Sequence, residues 1–327
     1  MTVAVEPVTD ALRSMQIGEV KIGEPLSRHT SFRIGGPASV FVEPDTLNGV
    51  VQVLDWVKHQ ALPYFIIGQG TNILVSDRGV DAVVISTARG LKTVAVESRF
   101  IRSGSGVLLT RLCRIAERAE LTGLEFAISI PGTLGGALVM NAGAHGSAMV
   151  HVVDEVLVWD AVAGVRTIAA TDVEFQYRQS RFMHHPWIAL EATLSLMPGV
   201  KADIQEKMRR NMDYRKRSQP VGEPNAGSIF KNPVPDYAGQ VIEAIGAKGW
   251  HSGDAVVSDL HANFIVNHGE ARAVDVLELM RRIRREVYRV YGIVLKPEIR
   301  WIGPNEGGAE TTWENLWYAE GVGLTEP

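Results

Sequence analysis

Three glycine-rich segments without charged side chains are places where the backbone could bind phosphate. They are Gly68–Asn72, Gly104–Gly106 and Pro131–Gly136. Because glycine has no Cβ, neighbouring backbone N–H groups can approach an anion such as a pyrophosphate. Asn72 and Asn141 could add specific hydrogen bonds. The residues alone leave two interpretations open: a large dinucleotide held by the main chain, or ordinary tight turns of a β-rich protein.

None of these segments matches a standard nucleotide-binding fingerprint. In G-x-G-x-x-G, a third glycine would follow Gly68 and Gly70, but Ile73 occupies that place. Leu109 occupies it after Gly104 and Gly106. The phosphate-binding pattern G-x-x-x-x-G-K-[ST] does not occur in these segments either. The sequence therefore argues against a Rossmann dinucleotide site and against a P-loop nucleotidase.

A second set of side chains could supply acid–base and electrostatic chemistry. Its members lie in YRQSRF, PNAGSIFKNP and PEIRW: Tyr177, Arg178, Ser228, Lys231, Asn232 and Glu298. Ser228 is also typical of a turn serine that caps the backbone. By itself, each of these positions is ambiguous.

Composition is that of an ordinary globular protein with no excess of basic residues. The chain has 327 residues, 46% hydrophobic and 21% charged, with a net charge of −4. This balance gives no reason to expect nucleic acid or an anionic membrane as a partner. The single cysteine, Cys113, cannot form an internal disulfide, which favours a reducing compartment and a core position on a helix. The nine histidines include no H-E-x-x-H, and we expect no metal.

The apolar stretch at residues 129–146, SIPGTLGGALVMNAGAHG, could be mistaken for a membrane segment. Pro131, five glycines and Asn141 interrupt it, whereas a spanning helix needs ~20 mostly apolar residues. The N-terminal region carries Glu6, Asp10 and Arg13 and does not resemble a secretory signal. We therefore expect a cytoplasmic protein without membrane insertion.

Apolar periodicity predicts an α+β arrangement rather than a regular βαβ alternation. Strands are expected at 39–44, 64–68, 82–87, 93–98, 99–104 and 296–303, with an antiparallel series at 154–161, 165–170 and 187–196. Helices are expected from 47, from 108, at 201–218 and at 274–291. On the last of these, the arginines 281, 282, 284, 285 and 289 are predicted to form a solvated face paired with Glu270, Glu278 and Glu286.

Six motifs together resemble one family of flavoenzymes, the UDP-N-acetylenolpyruvoylglucosamine reductases of peptidoglycan precursor synthesis. The motifs are HTSFRIGGPA, GQGTNILVSDRG, SIPGTLGGALVMNAGAHG, YRQSRF, NAGSIFKNP and KPEIRWIG, in that order. The resemblance extends from about residue 18 to residue 303. The short span between Arg178 and Ser228 leaves no room for the insertion that places a tyrosine over the substrate in one subtype, so the chain resembles the other subtype.

The resemblance implies a two-lobed FAD-binding module of the vanillyl-alcohol-oxidase type, followed by an α+β substrate-binding domain. The expected divisions are an extension at 1–17, FAD-binding lobes at 18–90 and 91–198, a substrate-binding domain at 199–296, a strand at 297–303 and a tail at 304–327. FAD would be bound non-covalently, and NADPH would reduce it. The implied FAD contacts are Gly68, Gln69, Gly70, Thr71, Asn72, Pro131, Gly132, Thr133, Gly135, Gly136, Asn141, Gly143 and Ala144.

The implied substrate is UDP-N-acetylglucosamine enolpyruvate. Hydride from flavin N5 would add to C3 of the enolpyruvyl group, and Ser228 would deliver a proton to C2. Arg178 and Glu298 would stabilise the enol intermediate, because a fixed cation and a hydrogen-bond donor favour developing negative charge. Tyr177, Arg215, Lys231 and Asn232 are the candidates for substrate binding.

Two other functions fit the same motifs less completely. One is a flavin oxidase or dehydrogenase of the same fold acting on a small alcohol or hydroxy acid. The other is a non-catalytic protein that binds FAD or a sugar nucleotide. Arg178, Ser228 and Glu298 together favour the reductase, and no obligate protein partner is expected.

Overall fold

The computed structural model describes residues 3–304, so the expected tail lies outside the described residues from residue 305 onward. The helices in this range are α1 Val5–Ser14, α2 Leu47–His59, α3 Leu109–Arg118, α4 Leu134–Val139, α5 Lys201–Ser218, α6 Ala238–Ala244 and α7 Ala273–Tyr291. The strands are β1 Gly18–Pro25, β2 Pro37–Pro44, β3 Tyr64–Ile67, β4 Ile73–Val75, β5 Val80–Ser86, β6 Val94–Glu97, β7 Phe100–Gly104, β8 Leu121–Thr122, β9 Gly143–Ala144, β10 Ser147–Ala148, β11 Val153–Asp160, β12 Gly164–Ala169, β13 Trp187–Ser195, β14 Met197–Pro198, β15 His251–Ser252, β16 Ala255–Val257, β17 Ile265–Asn267 and β18 Arg300–Ile302.

The chain forms two compact units, each built from discontinuous segments. The first contains residues 3–23, Ser39–Gln69 and Ala82–Arg217. The second contains Glu24–Ala38, Gly70–Asp81 and residues 218–304. Contact-based units and functional domains are different divisions, and the domain boundaries expected from the sequence stay a prediction.

Two sheets account for most strands of the first unit. One has the strand order β1-β2-β5-β3, in which β3 runs parallel to β5. The other has the order β12-β11-β13-β7-β6 and is antiparallel throughout. The antiparallel series predicted from the alternating apolar residues is therefore confirmed, and the mixture of sheets and helices confirms the α+β class.

The helices of the first unit form where apolar spacing and capping agree. In α2, Val50, Val53, Leu54 and Val57 are buried, and the hydroxyl of Thr46 accepts the N–H of Gly49 at 3.0 Å. Cys113 is buried on α3, where burial raises the pKa of its thiol. Its expected core position is thus confirmed.

The second unit packs α6 and α7 with the antiparallel sheet β15-β16-β17 and the parallel pair β4 and β18. Apolar residues from all of its chain segments share one core, including Phe32, Leu74, Phe230, Ile283 and Ile299.

The prediction of a fully solvated arginine face on α7 is wrong at one position. Arg285 and Arg289 are exposed and pair with Glu286. Arg284 is buried, and its Nε donates to the carbonyl of Leu295 at 3.0 Å. The side chain satisfies a backbone acceptor just beyond the helix, a contact that helical periodicity does not reveal.

The strand expected at 296–303 is shorter in the structure. Only Arg300–Ile302 forms regular pairing, parallel to β4. Residues 296–298 instead meet residues 229–231 through single bonds, which include Lys231 N–H to Lys296 O at 2.8 Å.

Candidate functional site

The loop after β3 presents backbone donors without protein partners. Among the described residues, the N–H groups of Gly68, Gln69 and Gly70 donate to no other group. Gly70 has φ +58°, and a Cβ there would collide with the carbonyl oxygen of His29. Only glycine fits this close approach, so the sequence keeps the loop compact with its donors free.

The segment before α4 is the second source of free donors. The hydroxyl of Thr133 caps α4 by accepting the N–H of Gly136 at 3.4 Å. The N–H groups of Gly132 and Thr133 donate to no other described residue, whereas Gly135 N–H bonds to Ser105 O at 2.8 Å. A Cβ on Gly68 would lie 2.5 Å from the Thr133 hydroxyl oxygen, so these two segments are adjacent.

For the third glycine segment the sequence left open phosphate binding or a tight turn, and the structure favours the tight turn. The N–H groups of Gly104, Ser105 and Gly106 donate to the carbonyls of Thr93, Leu190 and Leu91, each at 2.9 Å. A Cβ on Gly104 or Gly106 would collide with Leu91 or Thr87 backbone oxygens. These glycines therefore allow close backbone packing rather than anion binding.

The remaining two segments fit the pyrophosphate of a dinucleotide. They combine unpaired N–H groups with a stretch, residues 129–146, that has no Asp or Glu to repel an anion. Backbone donors that lack a protein acceptor are costly unless water or a ligand accepts from them. FAD, with two linked phosphates, supplies such acceptors.

Asn141 lies at the end of α4 and serves the protein rather than presenting its amide outward. Its φ is +41°, its N–H bonds to Leu138 O, and Ala142 N–H bonds to Ala137 O, which together form a Schellman ending. The side-chain Nδ2 donates to Gln176 O at 2.9 Å, and Oδ1 accepts Val150 N–H at 3.0 Å. Both side-chain amide atoms of Asn141 therefore already bond to the backbone.

Arg178 lies at the tip of a tight turn. Gln176 and Gln179 exchange two backbone hydrogen bonds of 3.0 and 3.2 Å, and Arg178 between them has φ +55°. Its Nη2 donates to Gly143 O at 3.1 Å, and its guanidinium lies 5.2 Å from the ring centre of Tyr177. The turn thus brings the predicted catalytic arginine against the predicted flavin-side strand β9.

The C-terminal end of α5 carries a cation without a carboxylate partner. Arg215 is half-buried and forms no ion pair within the described residues. Burial lowers the pKa of its guanidinium. The neighbouring Tyr214 is exposed, and its ring meets His145 edge-on at 5.6 Å between ring centres. An unpaired, partly desolvated cation beside an exposed ring can bind an anionic ligand.

In the second unit, Ser228 follows a turn whose capping is done by another residue. Asn225 Oδ1 accepts Gly227 N–H at 2.9 Å, and Gly227 has φ +78°. The Ser228 hydroxyl forms no hydrogen bond with another described residue. This excludes the interpretation of Ser228 as a backbone-capping serine and leaves its hydroxyl available.

Glu298 is held beside the segment that carries Ser228. Phe230 bridges Pro297 in antiparallel fashion, and Glu298 N–H bonds to Ile229 O at 2.8 Å. Asn72 adds two bonds: its Nδ2 donates to Glu298 O at 3.2 Å, and its own carbonyl accepts Arg300 N–H at 3.0 Å. The side-chain amide of Asn72 is therefore engaged with the protein.

Lys231 and Asn232 continue the same extended segment. The carbonyl of the Asn232 side chain accepts the N–H of Ala238, the first residue of α6, at 3.0 Å. Its amide nitrogen forms no bond with another described residue. Asn232 thus keeps one free donor beside Lys231.

Comparison with known proteins identifies the family. The profile of the UDP-N-acetylenolpyruvoylglucosamine reductase C-terminal domain matches residues 219–302, and that of an FAD binding domain matches residues 38–168. The chain is 40% identical to UDP-N-acetylenolpyruvoylglucosamine reductase from Halalkalibacterium halodurans over 91% of this chain and 99% of that protein. The chain belongs to this reductase family.

Further relatives agree with this membership. UDP-N-acetylenolpyruvoylglucosamine reductase 2 of Symbiobacterium thermophilum is 43% identical over 92% of this chain and 98% of the relative. The crystal structure of the Thermus caldophilus reductase superposes with a TM-score of 0.73 at 33% identity, covering 87% of this chain and 98% of that one. The predicted family, the fold class and the FAD-containing oxidoreductase are thereby confirmed, with FAD as cofactor and NADPH as the family's reductant.

Membrane-spanning helices and metal sites were also sought in residues 3–304 of this reductase. No helix there is long and apolar enough to cross a membrane. No group of three or more His, Cys, Asp or Glu side chains there could hold a metal ion.

Sequence reasoning missed the residues that support the catalytic candidates of this reductase. Ser180 donates from its hydroxyl to Val139 O at 2.7 Å, beside the Arg178 turn. Asn263 is buried, and its side chain bonds to both the N–H and the carbonyl of Phe230, at 3.0 and 2.8 Å. Both are small polar residues in unremarkable contexts, and only their three-dimensional partners reveal them.

Proposed function

We propose that this chain reduces the enolpyruvyl group of UDP-N-acetylglucosamine enolpyruvate to UDP-N-acetylmuramate, with NADPH as electron donor, for peptidoglycan synthesis. The observation that carries the proposal is 40% identity to a named reductase over 91% of the chain. Such coverage includes the FAD-binding match and the C-terminal match in one protein. We place the activity in the cytoplasm and expect no obligate protein partner.

The division of labour follows the chemistry of an enol intermediate. FAD, when bound, supplies the hydride for C3 of the substrate. Ser228 is proposed to protonate C2, supported by its partly buried hydroxyl that bonds to no described residue. Arg178 is proposed to stabilise the developing charge on the carboxylate. Glu298, in its protonated form, is proposed to donate a hydrogen bond to the enol oxygen. Serine is a weak acid, so it must act on a strongly basic carbon and regain its proton afterwards.

The proposed cofactor and substrate contacts come from several segments of the chain. We assign the pyrophosphate of FAD to the free N–H groups of Gly68, Gln69, Gly70, Gly132 and Thr133. We assign the anionic sugar nucleotide to Arg215, Lys231 and Asn232, with Tyr177 as a further contact. Support for Arg215 comes from its lack of a carboxylate partner within the described residues. Residues 18–198 would then bind the cofactor and also supply Tyr177 and Arg178 to the substrate, while residues 199–296 and Glu298 supply the other substrate contacts.

Ser228→Ala separates the proposed proton donor from the rest of the reaction. The variant should bind FAD and be reduced by NADPH at nearly the original rate, because no proton from Ser228 is needed in that half. Reoxidation by the enolpyruvyl sugar nucleotide should slow by about 10²- to 10⁴-fold, the usual contribution of a general acid. Stopped-flow absorbance of the flavin measures both halves.

A matched control is Ser258→Ala, which removes another serine hydroxyl of the second unit, one that accepts Leu260 N–H. It should leave both half-reactions unchanged. Equal slowing of both halves in Ser228→Ala would show that the residue is not the proton donor. Rapid reduction of the oxidised flavin by a small alcohol or hydroxy acid, with no reoxidation of the reduced flavin by the sugar nucleotide, would favour a different oxidoreductase.

A further inference from the structure

The turn that carries Arg178 has little apolar burial to hold it. Gln176, Tyr177 and Gln179 are exposed, and the nearby Arg181–Glu174 ion pair lies at the surface. Exposed ion pairs contribute little to stability. Arg178 itself adopts φ +55°, a left-handed conformation that a non-glycine residue keeps only when its surroundings impose it. Phe175, just before the turn, packs against the core, so polar contacts must fix residues 176–179 themselves.

Two buried side chains fasten the turn to the end of α4. At one side, Ser180 is 3% exposed and its hydroxyl donates to Val139 O, the carbonyl of the last residue of α4. At the other side, Asn141 Nδ2 donates to Gln176 O. Carbonyls at a helix C-terminus have no partner within the helix, so the Ser180 bond satisfies an acceptor that otherwise lacks one.

The two bonds bracket Arg178 closely along the chain. Gln176 is two residues before Arg178, and Ser180 is two residues after it. Arg178 itself donates from Nη2 to Gly143 O. All three contacts reach one short segment, residues 139–143. Displacement of either anchor would therefore shift the guanidinium relative to that segment.

We propose that Ser180 and Asn141 are positioning residues for Arg178, fixing its guanidinium against the 139–143 segment for the step in which charge develops on the substrate. This rests on the role proposed for Arg178. Asn141, expected from the sequence to contact FAD, acts on the substrate half-reaction through the turn. The effect of a positioning residue appears in the rate at saturating substrate, because it is the transition state that depends on orientation.

The test uses Ser180→Ala and Asn141→Asp in the FAD-loaded protein. Aspartate keeps an acceptor for Val150 N–H and tolerates a positive φ, but it loses the donor to Gln176 O. We expect flavin reoxidation by the enolpyruvyl sugar nucleotide at saturation to fall about 10- to 100-fold in each variant. In Ser180→Ala, flavin reduction by NADPH and the Kd of FAD, titrated into the apoprotein by fluorescence, should change by less than about 3-fold.

A double-mutant cycle with Arg178→Ala distinguishes positioning from a general structural effect. In the Arg178→Ala background, Ser180→Ala should cost no more than about 2-fold further, because the residue it positions is gone. Ser103→Ala is the matched control: Ser103 is also buried in the first unit and donates to a backbone carbonyl, that of Gly104. It should leave reoxidation unchanged.

Three results would overturn the proposal. Undiminished reoxidation in Ser180→Ala would do so, and so would the same fold loss with and without Arg178. If Arg178→Ala alone left reoxidation intact, the proposed role of Arg178 would fail, and its positioning with it. If Arg178→Ala slowed reoxidation and Ser180→Ala then slowed it further by its full factor, only the positioning would fail. Should Asn141→Asp not fold, Ser180→Ala alone still decides.

Discussion

Arg215, which we propose to bind the sugar nucleotide, gives a prediction at the scale of one residue. It is half-buried and has no ion pair among the described residues, although desolvation of a charge is unfavourable. Arg215→Met should leave the free energy of unfolding unchanged or raise it, since the buried charge is removed. The KM for the sugar nucleotide should rise about 10- to 100-fold, the usual worth of a hydrogen bond to a charged group.

Thermal unfolding and steady-state kinetics check this prediction together. Arg210→Met is a suitable control, because Arg210 is an exposed cation on the same helix that pairs with Glu206. Its KM should not change. A loss of stability in Arg215→Met with an unchanged KM would mean that Arg215 has a structural role only.

His261 gives the second prediction at this scale, a dependence of stability on pH. Burial, and then the charge of Lys248, lowers the pKa of this histidine, whose Nδ1 accepts Asn263 N–H at 3.2 Å. In the unfolded chain the pKa is about 6.5. As pH falls below that value, the unfolded chain takes up a proton at His261 before the folded protein does. The stabilisation that the neutral histidine gives the folded state above pH ~6.5 is therefore lost as pH falls towards the lower folded pKa.

Replacement by a residue that cannot titrate removes this part of the pH dependence. In His261→Gln, the free energy of unfolding from urea titrations should fall less steeply between pH ~6.5 and pH ~5 than in the parent. Identical slopes in the two proteins would show that His261 is protonated equally in the folded and unfolded states.

At the scale of the element, the exposed Gly136 of α4 allows a test of where the cofactor binds. A Cβ on Gly136 would meet no protein atom closer than 3.8 Å, the Thr133 hydroxyl oxygen. Gly136→Ala should therefore keep or raise the stability of the apoprotein, because alanine favours a helix by up to about 1 kcal/mol over glycine. If FAD lies against this turn, the methyl group occupies its space, and the Kd of FAD should rise at least ~10-fold.

Apoprotein unfolding and FAD titration separate these two effects. Weaker FAD binding with an equally stable apoprotein supports the assignment of this segment to the cofactor. Unaltered FAD affinity would place the cofactor away from Gly136.

Elements were predictable from sequence where local patterns decide them. The apolar spacing of α2, its Thr46 cap and the alternating strands β11 to β13 are confirmed. The role of the glycines at Gly104–Gly106 was not predictable. A glycine that makes room for a ligand looks the same in the sequence as one that makes room for neighbouring backbone. The side-chain partners of Asn72 and Asn141 were equally hidden, because their amides bond to backbone in segments 226 and 35 residues away. The FAD contacts expected of these two residues stay a prediction.

For the whole molecule, the order of motifs along the chain predicted the family, but the sequence did not predict how distant segments pack together. Six ordered motifs predict the family, which the comparisons confirm. The second compact unit joins Glu24–Ala38 and Gly70–Asp81 to residues beyond 217, and no local pattern indicates such a union. Asn263 supports the segment of Ser228, and Ser180 supports the turn of Arg178. Both do so through contacts between segments distant in sequence.

The central claim is that the purified protein couples NADPH oxidation to reduction of the enolpyruvyl sugar nucleotide. The most direct test follows NADPH absorbance with and without UDP-N-acetylglucosamine enolpyruvate and determines the mass of the sugar nucleotide afterwards. We predict a yellow protein, NADPH oxidation that requires the sugar nucleotide, and a product that has gained two hydrogen atoms for each NADPH consumed. A colourless protein, or NADPH oxidation that leaves the sugar nucleotide unchanged, would contradict the account.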